Sequence, residues 1–141
     1  MEREMLLTIE GTQRFHGEEP ETTKLVTDGT LRKEGGVLFL SYAESELTGM
    51  RGTLTTFRIE KDRVTLTRTG TVESVMSFVV GQEDCSLYDV GFGALMITVR
   101  TERIDCQMEE NGGYLEVSYA ISIEDSTAGM IDYRIEARKK Q

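Results

Sequence analysis

The sequence predicts an all-β protein that folds as a closed antiparallel barrel of about eight to ten strands. Two observations support this prediction: apolar and polar residues alternate along most of the chain, and turn residues separate the alternating runs at short intervals. No stretch shows the sustained helical period that a βαβ unit and a parallel sheet would need. The 141 residues have room for one domain, which we place at residues 1–141.

The predicted strands are rich in β-branched and aromatic residues. Between Tyr114 and Glu124 the odd positions are apolar or aromatic and the even positions are mostly polar, as expected of a strand with one buried face. The same period of two places Val64, Leu66 and Arg68 on one side of a single strand. In chain order, the predicted strands are residues 5–14, 23–33, 37–43, 53–59, 63–69, 72–80, 95–101, 114–124 and 131–137.

Turn residues between these runs predict hairpins, so that neighbouring strands pair antiparallel. The turn segments are residues 34–36, 61–62 and 111–113. At Asp28 and Gly29 a bulge or bend is favoured over a further hairpin, because a hairpin there would leave two very short strands. Local connections throughout favour a closed barrel over a sandwich, since closure removes the exposed sheet edges.

Composition excludes several classes of function. The chain has 16 basic and 25 acidic residues and a net charge of −9, which repels a phosphate backbone, so we expect no nucleic acid partner. One histidine, two cysteines and one proline exclude clustered Cys/His zinc sites, disulfide frameworks and proline-rich recognition segments. We expect neither a metal nor a cofactor.

The N-terminal residues do not resemble a secretory signal, and no apolar run is long enough for a membrane helix. We therefore expect a cytoplasmic protein with no membrane partner. In that compartment Cys85 and Cys106 are expected to be reduced thiols.

A set of short motifs in the middle of the chain resembles the YwiB-like family of small bacterial β-barrel proteins. The resemblance extends from about residue 27 to residue 136. It implies a calycin-like, lipocalin-like closed barrel of unknown function, and it transfers no functional residue. The motifs, in order, are Tyr42-Ala-Glu44, Leu47-Thr-Gly49, Arg68-Thr-Gly70, Phe78-Val-Val-Gly81, Tyr88, Gly93-Ala-Leu95, Thr101 and Tyr119.

Arg68 breaks the pattern of its strand, because strand alternation turns it to the same side as Val64 and Leu66. A guanidinium there needs an acceptor. The even-numbered residues from Leu38 to Glu44 share one side of their strand, which also turns to the interior or its rim, so Glu44 is a candidate partner. One interpretation is a structural Arg68–Glu44 bridge that closes one end of the barrel. In a second, Arg68, Tyr42 and Tyr119 face a cavity and bind a ligand carboxylate. In a third, a bulge shifts the register and puts Arg68 in water.

The leading functional hypothesis is a non-enzymatic barrel that binds a small apolar or carboxylate-bearing molecule in its interior. The alternative is a protein-interaction or assembly domain with a filled barrel, whose outer surface binds the partner. A homodimer is also possible on the sequence. An enzyme is the least expected class, because the carboxylates have no spacing that selects an acid and base pair. His16 is the one imidazole and is expected at the surface of a loop. The volume of the barrel interior distinguishes a binder from an interaction domain.

Overall fold

The protein is an all-β antiparallel barrel of ten strands, as predicted. The computed structural model describes residues 2–15, 17–124 and 126–140, and His16 lies outside them. A 3-10 helix at Glu46–Thr48 lies between the third and fourth strands. The strands are β1 (Glu2–Phe15), β2 (Glu21–Glu34), β3 (Val37–Ala43), β4 (Thr53–Ile59), β5 (Val64–Gly70), β6 (Ser74–Phe78), β7 (Glu83–Asp89), β8 (Ala94–Glu109), β9 (Gly112–Ile123) and β10 (Ser126–Lys139).

The strands form one sheet in the order β6-β5-β4-β3-β2-β1-β10-β9-β8-β7. Most strands pair with their neighbours in the chain, and β1 also pairs with β10, with Met5 opposite Lys139. The chain ends therefore lie side by side within the sheet, and the two edges of the sheet, β6 and β7, come from the middle of the sequence.

The barrel is nearly closed, and its seam lies between β6 and β7. Among the described residues, one isolated bridge joins Glu73, directly before β6, to Asp89 at the end of β7, and the two exchange backbone hydrogen bonds of 2.8 and 2.9 Å. Further along the seam, the Ser77 N–H donates to the Asp84 carboxylate at 2.8 Å. Side-chain contacts thus supplement a ladder that the backbone alone does not complete.

Large apolar side chains pack the interior of the barrel. They come from alternate positions of the strands, as the period of two predicts. The largest fully buried side chains are Phe57, Phe78, Met5, Leu7, Leu31, Leu40, Leu115 and Ile135. Side chains therefore fill the centre of the barrel, as in other protein cores.

The sequence pattern does not predict β7, and it predicts only residues 95–101 of β8. The inward positions of β7 are the partly buried Asp84, Ser86 and Tyr88, so this strand has no apolar face to reveal it. In β8 the pairing with β9 shifts between Thr101 and Arg103. This irregularity moves the inward side chains from odd to even positions, so the alternation on odd positions ends at Thr101.

Of the predicted bulge or bend at Asp28 and Gly29, the bulge is wrong, because β2 pairs with β1 across both residues without a change of register. The same continuous pairing confirms that no hairpin divides the strand there. Glycine is required there for a different reason. A Cβ atom on Gly29 would lie 2.5 Å from Cδ1 of Leu7 and 2.6 Å from the carbonyl oxygen of Ser41. The close approach of β1 and β3 to β2 leaves no room for a side chain.

No helix in the described part of the chain has the length and apolar character that a membrane span requires.

Both thiols are free: Cys85 is exposed and Cys106 is partly buried. We predict two adducts after alkylation without reductant, with Cys85 modified first. Burial raises the pKa of the Cys106 thiol, so its modification should accelerate at a higher pH than that of an ordinary thiol. Mass spectrometry over time and pH checks this, and an unmodified mass that gains adducts only after reduction would contradict it.

Candidate functional site

Arg68 and Glu44 lie together at one end of the barrel interior. Arg68 is near the end of β5, and Glu44 directly follows β3. Their side chains are 12% and 1% exposed, and Nε of Arg68 lies 4.0 Å from Oε2 of Glu44. The pairing of β5 with β4 and β6 carries no register shift, so Arg68 faces inward and the water-facing interpretation is wrong. The two groups therefore neutralise each other's charge in a buried place.

Hydroxyl groups, and not the guanidinium, bind the carboxylate of Glu44. Thr48 Oγ1 donates to Oε1 at 2.8 Å, and Thr55 Oγ1 donates to Oε2. Nε of Arg68 is buried and has no hydrogen-bond partner. Arg68 thus compensates the charge of Glu44 while keeping a buried donor unused.

Tyrosine side chains surround this pair. The hydroxyls of Tyr42 and Tyr133 share a hydrogen bond of 2.7 Å, and burial raises the pKa of both phenols. Burial also raises the pKa of Tyr119 to about 12, although the positive charge of Arg68 lowers it in part. The ring of Tyr119 packs against Phe78 with centroids 4.8 Å apart. All three phenols stay neutral near pH 7 and can donate hydrogen bonds.

Two further buried hydroxyls have no partner, Oγ of Ser74 and Oγ1 of Thr101. Strand pairing places Ser74 directly beside Arg68, on the opposite side from Thr55. Thr101 lies on β8, opposite Tyr119 of β9. Among the described residues, Nε of Arg3 on β1 is a fourth buried group without a partner. Because most buried polar groups in proteins are hydrogen-bonded, the three that lie on or beside Arg68 and Tyr119 require an explanation.

Replacing Thr101 by Val is expected to raise the free energy of unfolding by about 1 kcal/mol. The substitution keeps the shape of the side chain and removes a buried hydroxyl without a partner. Urea denaturation measures the difference. A loss of stability would show that the hydroxyl is hydrogen-bonded in solution.

Loops cover this end of the barrel. The Thr71 N–H donates to the carbonyl oxygen of Gly52 at 3.3 Å, and the Val72 N–H donates to Oγ1 of Thr53 at 3.1 Å. The Tyr88 hydroxyl donates to Sδ of Met50 at 3.3 Å, which ties the β3–β4 loop to β7. A ligand that reaches Arg68 must pass these contacts.

Five surface cavities have volumes of about 290 to 640 Å³, and Arg68 lines none of them. Among residues 2–15, 17–124 and 126–140, no group of three or more His, Cys, Asp and Glu side chains is placed to hold a metal ion.

All four residues of the predicted site, Tyr42, Glu44, Arg68 and Tyr119, point into the barrel. Tyr133 is not among the predicted site residues, although the alternation from Ile131 to Ala137 turns it inward. The predicted site also lacks the buried inward hydroxyl residues, which are Thr53, Thr55, Ser74 and Thr101. Each is a polar residue at an apolar position of its strand, which is a usable signal, but only the register shows which of them adjoin Arg68.

The comparisons with known proteins agree with this fold. Residues 7–135 match a family described as a domain of unknown function, DUF1934. The chain is similar to the uncharacterized β-barrel protein YwiB of Bacillus subtilis (strain 168), with 25% identity over 105 residues, which are 74% of this chain and 72% of the relative. The crystal structure of the ywiB protein from Bacillus subtilis matches with a TM-score of 0.88 at 20% identity, covering 99% of this chain and 94% of that one.

Proposed function

Because the chain belongs to the DUF1934 family, as its resemblance to YwiB-like proteins predicts, and that family's description gives no activity, we propose a function from the barrel itself. The protein is a non-enzymatic binder of small carboxylates, with Arg68 as the anchor. The observation that carries this proposal is the buried Nε of Arg68 without a hydrogen-bond partner. The calycin-like resemblance also favours an interior ligand, and the two free thiols favour a cytoplasmic location.

Strand pairing indicates where a ligand carboxylate fits. Glu44 and Thr55 occupy the β4 side of Arg68, and Ser74 lies on its β6 side. A carboxylate on the β6 side can accept hydrogen bonds from Nε of Arg68 and Oγ of Ser74, which have no partner in this structure.

The packed interior limits the size of the ligand. Phe57, Phe78 and Leu40 are almost completely buried beneath the tyrosines, so a long aliphatic chain would have to displace the core. We therefore propose a short carboxylate that enters from the loop-covered end, in place of a large apolar molecule held at the centre.

The test uses acetate, propionate, butyrate and hexanoate as probes, with chloride at the same ionic strength as the reference. At least one carboxylate is expected to raise the melting temperature of the wild type in a concentration-dependent way. Arg68→Lys keeps the charge opposite Glu44 but loses Nε and the planar fork, so it should abolish this shift. Ser74→Ala should weaken it.

The matched control is Arg100→Lys, at an exposed position of β8 that belongs to neither proposed site, which should retain the full shift. The proposal is wrong if none of the four carboxylates stabilises the wild type, or if Arg68→Lys responds as the wild type does.

A second candidate function is a protein-interaction domain, and the packed interior together with exposed apolar side chains favours it. Leu87 and Met96 face each other across β7 and β8 and are 56% and 40% exposed, and Phe92 in the connecting turn is 94% exposed. A second copy of the chain would cover this surface. Sedimentation should then show a dimer that Leu87→Ser dissociates, and a monomer at all concentrations would exclude it.

A further inference from the structure

The outer face of the barrel over β2 to β5 carries a cluster that neither Arg68 nor the interior explains. Cross-strand pairing puts Phe39 of β3 between Arg32 of β2 and Arg58 of β4, with Thr65 of β5 beyond. Arg63, in the turn before β5, lies at the same cavity, whose volume is about 640 Å³. We call Arg32, Phe39, Arg58, Arg63 and Thr65 the guanidinium face.

Phe39 holds two of these cations in position. The guanidinium carbon of Arg32 lies 4.2 Å from the centre of its ring, and that of Arg58 lies 5.8 Å from it. Such stacking leaves the N–H groups at the guanidinium edges free to bind acceptors. Because the arginines are already oriented, a partner would lose less side-chain entropy on binding them.

The carboxylates near the guanidinium face do not saturate it. Arg32 pairs with Glu34, and Nε of Arg58 lies 3.4 Å from Oε1 of Glu60. These side chains are well exposed, so the pairs contribute little and a competing carboxylate can replace them. In the described part of the chain, no carboxylate oxygen lies within 4.0 Å of a nitrogen of Arg63. Arg63 therefore gives this face more guanidinium groups than neighbouring carboxylates, although the net charge of the chain is −9.

We propose that the guanidinium face docks an extended acidic segment of another protein. The face spans three strand spacings, about 14 Å, which matches four or five extended residues. A long polyanion such as nucleic acid would continue onto the acidic remainder of the surface and be repelled. This inference stands apart from carboxylate binding in the interior and holds whether or not that function fails.

The acidic loop of the same chain cannot occupy this face. Glu18 and Glu19 precede β2 and Glu21 begins it, whereas Arg32 is eleven residues after Glu21, about 36 Å when measured along the strand. The loop could reach the face only in a second molecule, which makes self-association a separate, measurable outcome.

Fluorescence anisotropy with a labelled hexaglutamate peptide tests the proposal, with hexalysine and a single-stranded oligonucleotide as comparison probes. The wild type is expected to bind hexaglutamate, and more weakly as salt rises. Arg58→Gln combined with Arg63→Gln should weaken binding at least tenfold. The matched control, Arg100→Gln with Arg138→Gln, changes the net charge equally at exposed positions outside the guanidinium face and should bind as the wild type does.

The proposal is overturned if hexaglutamate does not bind, if the control loses as much affinity as the test variant, or if the oligonucleotide binds as tightly. It is also overturned if sedimentation shows the wild type self-associating in a manner that the Arg58 and Arg63 substitutions abolish.

Discussion

Arg68→Met is expected to lower the free energy of unfolding by about 3 to 5 kcal/mol. The substitution leaves Glu44, whose side chain is 1% exposed, charged in a place that water does not reach. Thr48 and Thr55 still donate hydrogen bonds to its carboxylate, but they carry no positive charge. Urea denaturation of the wild type and the variant measures the loss.

The double variant Arg68→Met with Glu44→Gln should recover more than half of that loss, because no buried charge then stays unpaired. Glu44→Gln alone should also destabilise, since Arg68 then lacks its counter-charge. If the effects of the two single substitutions simply add, the 4.0 Å pair is not coupled in solution and the structural interpretation of Arg68 fails.

Gly70→Ala is expected to cost about 3 kcal/mol or more. Gly70 ends β5 with a φ of +119°, a conformation that L residues rarely adopt, and an added Cβ would lie 2.1 Å from the carbonyl oxygen of Gly52. The substitution would push apart the two loops that cover the Arg68 end. Thermal and urea denaturation report the loss of stability, and increased hydrogen exchange at Thr71 would report the separation of the loops.

Gly93→Ala is the matched control. Gly93 has no atoms within 4 Å of the added Cβ, and its φ lies outside the left-handed region. This variant should stay within about 0.5 kcal/mol of the wild type. Equal effects of the two substitutions would mean that Gly70 is not held by the contact with Gly52.

The sequence predicts the class of fold because alternation is a local property of each strand. The runs that contain Leu115 to Ile123 and Thr55 to Ile59 needed no tertiary information. Where a strand lacks an apolar face, as in β7, or changes its inward parity, as β8 does after Thr101, the local pattern gives no signal. The position of the seam between β6 and β7 could not be predicted either, because the sequence of one strand does not show which strand it pairs with.

Strand alternation alone predicts that Arg68 and Glu44 point inward, and the candidate site rests on that prediction. Parity could not show that Ser74 adjoins Arg68 or that Tyr133 bonds to Tyr42, since these contacts depend on register and on closure of the barrel. The absence of a hydrogen-bond partner for Nε of Arg68 is a three-dimensional property of a packed interior, and no sequence pattern reports it.

The arrangement of the chain ends has a consequence for folding kinetics. Met5 lies opposite Lys139, so the pairing of β1 with β10 joins the segments most distant in sequence, while β6 and β7, adjacent in sequence, share one isolated bridge. A circular permutant that joins the end of β10 to the beginning of β1 by a short linker and opens the chain between Val80 and Gly81 would keep every antiparallel ladder. Its longest-range pairing would become a hairpin. Because folding slows as the mean sequence separation of contacts grows, we expect this permutant to fold faster than the natural chain at similar stability.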